Sequence, residues 1–156
     1  FDIVDLVLSA INSFEGRCIE KKISLRLNNH TEHSIVHADK TKIEQVIYNL
    51  LDNAIKFTSE NKSIYVTLTE KHDKIFVSVK DEGCGIPKES LNRVWVRFYK
   101  ADRSRGKDKQ GTGLGLAITK EIIKAHNENI NVVSTEGVGS EFTFSLSKAT
   151  TDSEQS

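Results

Sequence analysis

Three short stretches carry side chains suited to a charged, planar ligand. Asn49, Asn53 and Lys56 recur at three- and four-residue spacing, which on a helix puts them within about 60° of one another. Two asparagines one turn apart offer neutral carbonyl oxygens, a donor type that suits a hard cation keeping waters and substrate phosphates. Lys56 adds a point charge for a phosphate. A solvated helix edge would show the same spacing. Asp81-Glu-Gly-Cys-Gly85 follows a strand-like run. Ionised Asp81 only accepts hydrogen bonds, which fits an amino group such as that of adenine, while Gly83 and Gly85 let backbone approach a flat ring. Read alone, this pattern also fits an ordinary turn. The third stretch, Gly111-Thr-Gly-Leu-Gly-Leu116, runs into a helix. Amides at Gly113 and Gly115, with the positive end of the helix dipole, resemble a cradle for phosphate. It is neither a P-loop nor a dinucleotide fingerprint.

Apolar periodicity supplies the elements that must position these residues. Leu6, Val7, Ala10, Ile11 and Phe14 mark a helix over about 5–20. Ile43, Val46, Ile47, Leu50, Leu51 and Ala54 mark a second over about 40–57. Period-two alternation predicts strands at 23–27, 34–37, 63–70, 74–80, 130–134 and 141–146. Short helices are expected at 89–95 and 113–125. The helices are too few for a doubly wound sheet. The order fits an α+β class: a two-layer α/β sandwich with a mixed, mostly antiparallel sheet and three main helices on one face. One domain over 1–147 is expected, with a polar disordered tail over 148–156.

Composition narrows the function classes. Lys plus Arg number 22 against 22 Asp plus Glu, so the chain lacks the bulk positive charge of a nucleic-acid binder. No apolar run approaches the ~20 residues of a membrane helix, and no membrane contact is expected of this piece. The two cysteines, Cys18 and Cys84, lack metal-ligand spacing, and a zinc site from His30, His33 and His37 is not expected. Methionine is absent even at position 1, so the chain is expected to belong to a longer protein. From residue 97 to 109 six basic residues face two acidic ones, which reads as a mobile lid whose cations close over a polyphosphate.

Taken together the segments resemble the Bergerat ATP-binding fold of the GHKL superfamily, which histidine kinases share with DNA gyrase B, MutL and a heat-shock chaperone. The likeness to sensor histidine kinases goes furthest. Gln45-Val-Ile-Tyr-Asn49-Leu-Leu-Asp-Asn53-Ala-Ile-Lys56-Phe57 resembles their asparagine box, and Asp81–Gly85 their first glycine box. Arg97-Phe98-Tyr99-Lys100 is similar to their phenylalanine box, Gly111–Leu116 to their second glycine box, and Gly139-Ser140-Glu-Phe142 to their last motif.

The resemblance implies ATP and Mg²⁺ as cofactors, with Asn53 as principal metal ligand and Asn49 assisting. It implies that Asp81 binds the adenine amine, with Phe57, Gly83, Gly85, Ile86, Phe98 and Ser140 around the nucleotide. Lys56, Arg97 and Lys100, and the stretch Gly111, Thr112, Gly113, Leu114, Gly115 and Leu116, would meet phosphates. Asn49 stands where hydrolytic relatives place a glutamate base, and an amide takes no proton from water, so idle hydrolysis should be slow. No histidine here lies in a phosphoacceptor pattern. The implied reaction is transfer of the γ-phosphate to a histidine on the protein's own dimerisation domain, then signalling to a response regulator, in the cytoplasm. The isolated domain would be monomeric and the whole protein a homodimer. Two departures stand out: Trp95-Val96 replaces the usual Phe-Glu, and His126-Asn-Glu-Asn129 replaces His-Gly-Gly. Alternative readings are a degenerate interaction module, a GHKL ATPase, or an anti-sigma-type serine kinase.

Overall fold

The computed structural model describes residues 1–96 and 115–149. Helix α1 (Ile3–Lys21) starts where the Asp2 carboxylate accepts the Val4 amide at 2.9 Å, and stops at Lys22 in the left-handed region, φ 60°. Helix α2 (Lys40–Phe57) is capped likewise by Asp39, which accepts the Lys42 amide at 3.2 Å. All six apolar positions predicted for α2 are buried, and Ile55 and Phe57 join them. Helix α3 (Gly115–Ala125) buries Ala117, Thr119, Ile122 and Ile123.

Five strands form one sheet in the order β1-β2-β3-β5-β4, with β1 Ser24–His30, β2 Ser63–Lys71, β3 Lys74–Asp81, β4 Ile130–Thr135 and β5 Gly139–Ser147. Only β1 and β2 run parallel. A parallel pair needs a crossover, and α2 supplies it. Ile64, Val66 and Leu68 of β2, Ile75, Val77 and Val79 of β3, and Phe142, Phe144 and Leu146 of β5 meet the helices in one core. The α+β sandwich is the one expected.

Three local expectations need correction. Residues 34–37 form no strand: they make isolated bridges, Asp2 to Ile35 and Val36 to Lys148, because their partners come from opposite ends of the chain. The helix expected at 89–95 is a single 3₁₀ turn, Lys88–Ser90, followed by turns. β1 reaches His30, beyond the alternating run that marked it. Past β5, Lys148 and Ala149 are held by backbone bonds to Asp73 (2.9 Å) and Ile35 (3.0 Å). The remainder of the expected tail lies outside the described residues.

Candidate functional site

The site lies where the C-terminal half of α2, the end of β3 and the start of α3 meet. Asn49 Nδ2 donates to the Gly115 carbonyl at 3.3 Å and to Thr119 Oγ1 at 3.4 Å. Thr119 Oγ1 itself donates to Gly115 O at 2.8 Å, so it accepts from Asn49. These bonds commit the amide nitrogen to α3 and turn Asn49 Oδ1 the other way. A Cβ placed on Gly115 would stand 3.8 Å from Asn49 Cγ, so the two helices touch here. Asn53, one turn further along α2, is half-buried. At the far end of α3, His126 accepts the Asp39 amide at Nε2 (3.0 Å) while Nδ1 donates to Ile122 O (2.8 Å). That fixes its tautomer and ties the end of α3 to the start of α2.

Asp81, 2% exposed, closes β3 opposite Ser140 of β5. Its Oδ1 accepts the Gly83 amide at 2.9 Å and the Ser140 amide at 3.3 Å. Gly83 is required by space: a Cβ there would lie 2.5 Å from Phe57 O and 2.8 Å from Asp81 Oδ1. Gly85 is required by conformation, with φ +73°. The first glycine turn thus packs on the end of α2, the helix whose asparagine stripe meets the start of α3 through Asn49.

Ser140 belongs to a hydroxyl chain. Ser134 Oγ donates to Gly139 O (3.0 Å) and accepts the Ile86 amide (2.8 Å). Its only proton is thereby used, so in the 2.8 Å contact between the two hydroxyls Ser140 is the donor. Ser140 Oγ then keeps acceptor character beside Asp81. The Ile86 side chain, 1% exposed, lies in the core.

Lys56 Nζ pairs with Asp52 Oδ2 at 3.1 Å, and Asp52 Oδ1 takes Arg17 of α1 at 2.7 Å. Lys21 Nζ caps the last carbonyls of α2, Ile55 O at 2.6 Å and Lys56 O at 3.2 Å. The departing Trp95 packs edge-on against Phe142, centroids 5.7 Å apart, with Lys120 Nζ 5.1 Å from its ring centre. Val96, where the resemblance implies a glutamate, is exposed.

Of the residues singled out from sequence, Asn49, Asn53, Lys56, Phe57, Asp81, Gly83, Gly115 and Ser140 lie on these converging segments. Arg97, Phe98, Lys100, Gly111, Thr112, Gly113 and Leu114, with the basic stretch, lie outside the described residues. Thr119, Ser134 and Asp52 were missed. Thr119 left a trace, a polar residue one turn after Gly115 on the apolar face of α3. Ser134 left none, since only the β4–β5 register brings it to Ser140.

Residues 38–150 match the family model described as histidine kinase-, DNA gyrase B-, and HSP90-like ATPase. The sensor histidine kinase WalK of Bacillus subtilis is 42% identical over 113 residues, which cover 71% of this chain and 18% of WalK. The catalytic domain of the histidine kinase ThkA superposes with a TM-score of 0.82 at 33% identity, over 95% of this chain and 93% of that one. ThkA in complex with the response regulator protein TrrA matches at 0.80 and 29% identity, over 96% of this chain and 41% of that one. The chain spans about a fifth of the length of the curated relatives it matches. By the family model and these relatives, the chain belongs to the histidine kinase-, DNA gyrase B- and HSP90-like ATPase family, as a catalytic domain of the sensor histidine kinase kind.

Proposed function

We propose that this domain holds Mg·ATP and passes the γ-phosphate to a histidine on a separate dimerisation domain of a longer sensor kinase. The observation that carries the reading is the bond from Asn49 Nδ2 to Gly115 O, which sets the metal-type oxygens of α2 beside the start of α3. Asp81 would accept the adenine amine, with Ser140 Oγ as a neighbouring acceptor. Lys56 would neutralise phosphate charge, as would Arg97, Lys100 and the Gly111–Leu116 amides.

The donor set suits Mg²⁺. Among the described residues no cluster of three or more His, Cys, Asp or Glu could hold a metal, whereas Asn49 and Asn53 offer amide oxygens of the kind that share a magnesium with water and phosphates. The metal would supply charge neutralisation at the phosphates. Asn49 and Asn53 would orient it, and neither is a base for water, which keeps idle hydrolysis slow. Catalysis is then chiefly positioning and electrostatics.

A separate acceptor domain is supported by the sequence, where none of the five histidines lies in a phosphoacceptor pattern, and both ring nitrogens of His126 are engaged in holding α2 to α3. The ThkA–TrrA complex supports a response regulator as downstream partner, and a need for ATP would suit a cytoplasmic location. The 156-residue chain should be monomeric within a homodimeric whole.

Saturating Mg·ATP should raise the melting temperature by mass action, since it binds the native state. An unchanged melting curve at millimolar nucleotide would remove the reading. Mixing with a histidine-bearing dimerisation domain and labelled ATP tests transfer. Label on histidine is expected. Steady phosphate release without a partner would indicate an ATPase instead, label on serine an anti-sigma-type kinase, and binding without transfer a degenerate module, which exposed Val96 favours.

A further inference from the structure

The seam between α1 and α2 carries a charge arrangement that the nucleotide reading does not use. Asp52 stands between two cations, Arg17 at 2.7 Å on one oxygen and Lys56 at 3.1 Å on the other. On the helix wheel Asp52 lies about 60° from Asn49, on the side away from Asn53. It therefore draws the Lys56 ammonium toward α1.

The two cations are not held alike. The Arg17 guanidinium rests on the Phe14 ring, 5.4 Å from its centre, and Phe14 leans on Tyr48 of α2, centroids 5.3 Å apart. Tyr48 is bonded in turn to Ser13 at 2.7 Å. Arg17 is thus seated by stacking on the seam, while Lys56 is a point charge on a flexible stem with the longer contact. When an anion competes, Lys56 is the partner that leaves and Arg17 the one that stays.

We propose that Asp52 is an internal competitor for the phosphate-binding cation Lys56, and that Arg17 on α1 sets how strongly it competes. This rests on the phosphate role of Lys56 given above. In the nucleotide-free protein the carboxylate occupies Lys56. On binding, the ammonium moves to a phosphate oxygen and Asp52 remains neutralised by Arg17, so no bare charge is left behind. Arg17 keeps 43% of its side-chain surface exposed. An acidic partner group that drew Arg17 away would return Asp52 wholly to Lys56 and lower ATP affinity.

The test is isothermal titration of the 156-residue chain with Mg·ATP and, separately, with adenosine, which has no phosphate. D52N should tighten ATP and R17Q should weaken it, each by about twofold to fivefold, the range of exposed ion pairs. R17K, which keeps the charge, should stay near wild type. Adenosine affinity should not move in any of them. K56Q should weaken ATP and abolish the gain from D52N in the double variant. Equal signs for D52N and R17Q, matched changes for adenosine, or a D52N gain that persists in K56Q would each overturn the competition while leaving Lys56 as a phosphate contact. ATP affinity unchanged in K56Q would overturn the phosphate role itself, and this inference with it.

Discussion

The two ends of the sheet hold a buried carboxylate in opposite ways. At one end Asp81 Oδ1 takes two backbone amides, Gly83 and Ser140. At the other Glu128 is clasped by Lys74 at 2.7 and 2.8 Å and by the hydroxyls of Ser145 and Ser147 at 2.8 and 2.7 Å. Burial raises the Glu128 pKa, but the bonds from Lys74, Ser147 and Ser145 outweigh it and leave the group below its ordinary value. The contrast shows how one fold separates tasks. Where the carboxylate ties elements together, it is matched with charge. On Asp81, the carboxylate proposed above to meet the adenine amine, two amides fix the orientation of Oδ1.

The largest effect should come from the geometry that frames Asp81. G85A would place a Cβ 2.2 Å from Thr135 O at φ +73°, and should cost about 3 kcal/mol of stability, read by urea unfolding. A change under ~1 kcal/mol would mean that the turn does not constrain the site. D81N comes next. The amide still accepts from Gly83 and Ser140 but offers a donor where an acceptor is needed, so ATP affinity should fall by about thirtyfold, roughly 2 kcal/mol, with the fold retained. E128Q should do the reverse. Lys74 is partly exposed, which limits the loss to about 1–2 kcal/mol of stability, and nucleotide affinity should not change. Loss of affinity in E128Q would erase the distinction between the two ends.

The smallest effect is acid lability at the Glu128 end. There Glu70 is lowered from 4.5 to about 2, first by the bond from Lys148 and then by the amides of Glu32 and His33. The unfolded chain takes up these protons at a higher pH than the native one. The stabilisation is therefore present above pH 4.5 and is lost as pH falls toward about 2, as for Glu128 in the same direction. A flat denaturation midpoint across that window would contradict it, and E70Q should flatten the curve.

How much of this was legible depends on how far apart the partners lie in the chain. The α2 stripe and its buried face are local, written in residues a turn apart, and so were readable from spacing. The β2–β3 hairpin is local too. Ser134 and Ser140 are only six residues apart, but the exact register of the β4–β5 hairpin decides that they meet. Asp52 meets Arg17 across 35 residues, a distance no short window of sequence encodes. The failed strand at 34–37 has the same cause, since alternation reports a half-buried surface whether or not a neighbour pairs along it.

The packing of Trp95 has an optical corollary. It is the sole tryptophan in the chain, and its ring is wedged between β5 and the ammonium of α3. Indole emission from this protein is therefore a local signal, coming from the joint where the segment after β3 rests on the sheet. Wavelength and quenching report whether that joint is closed.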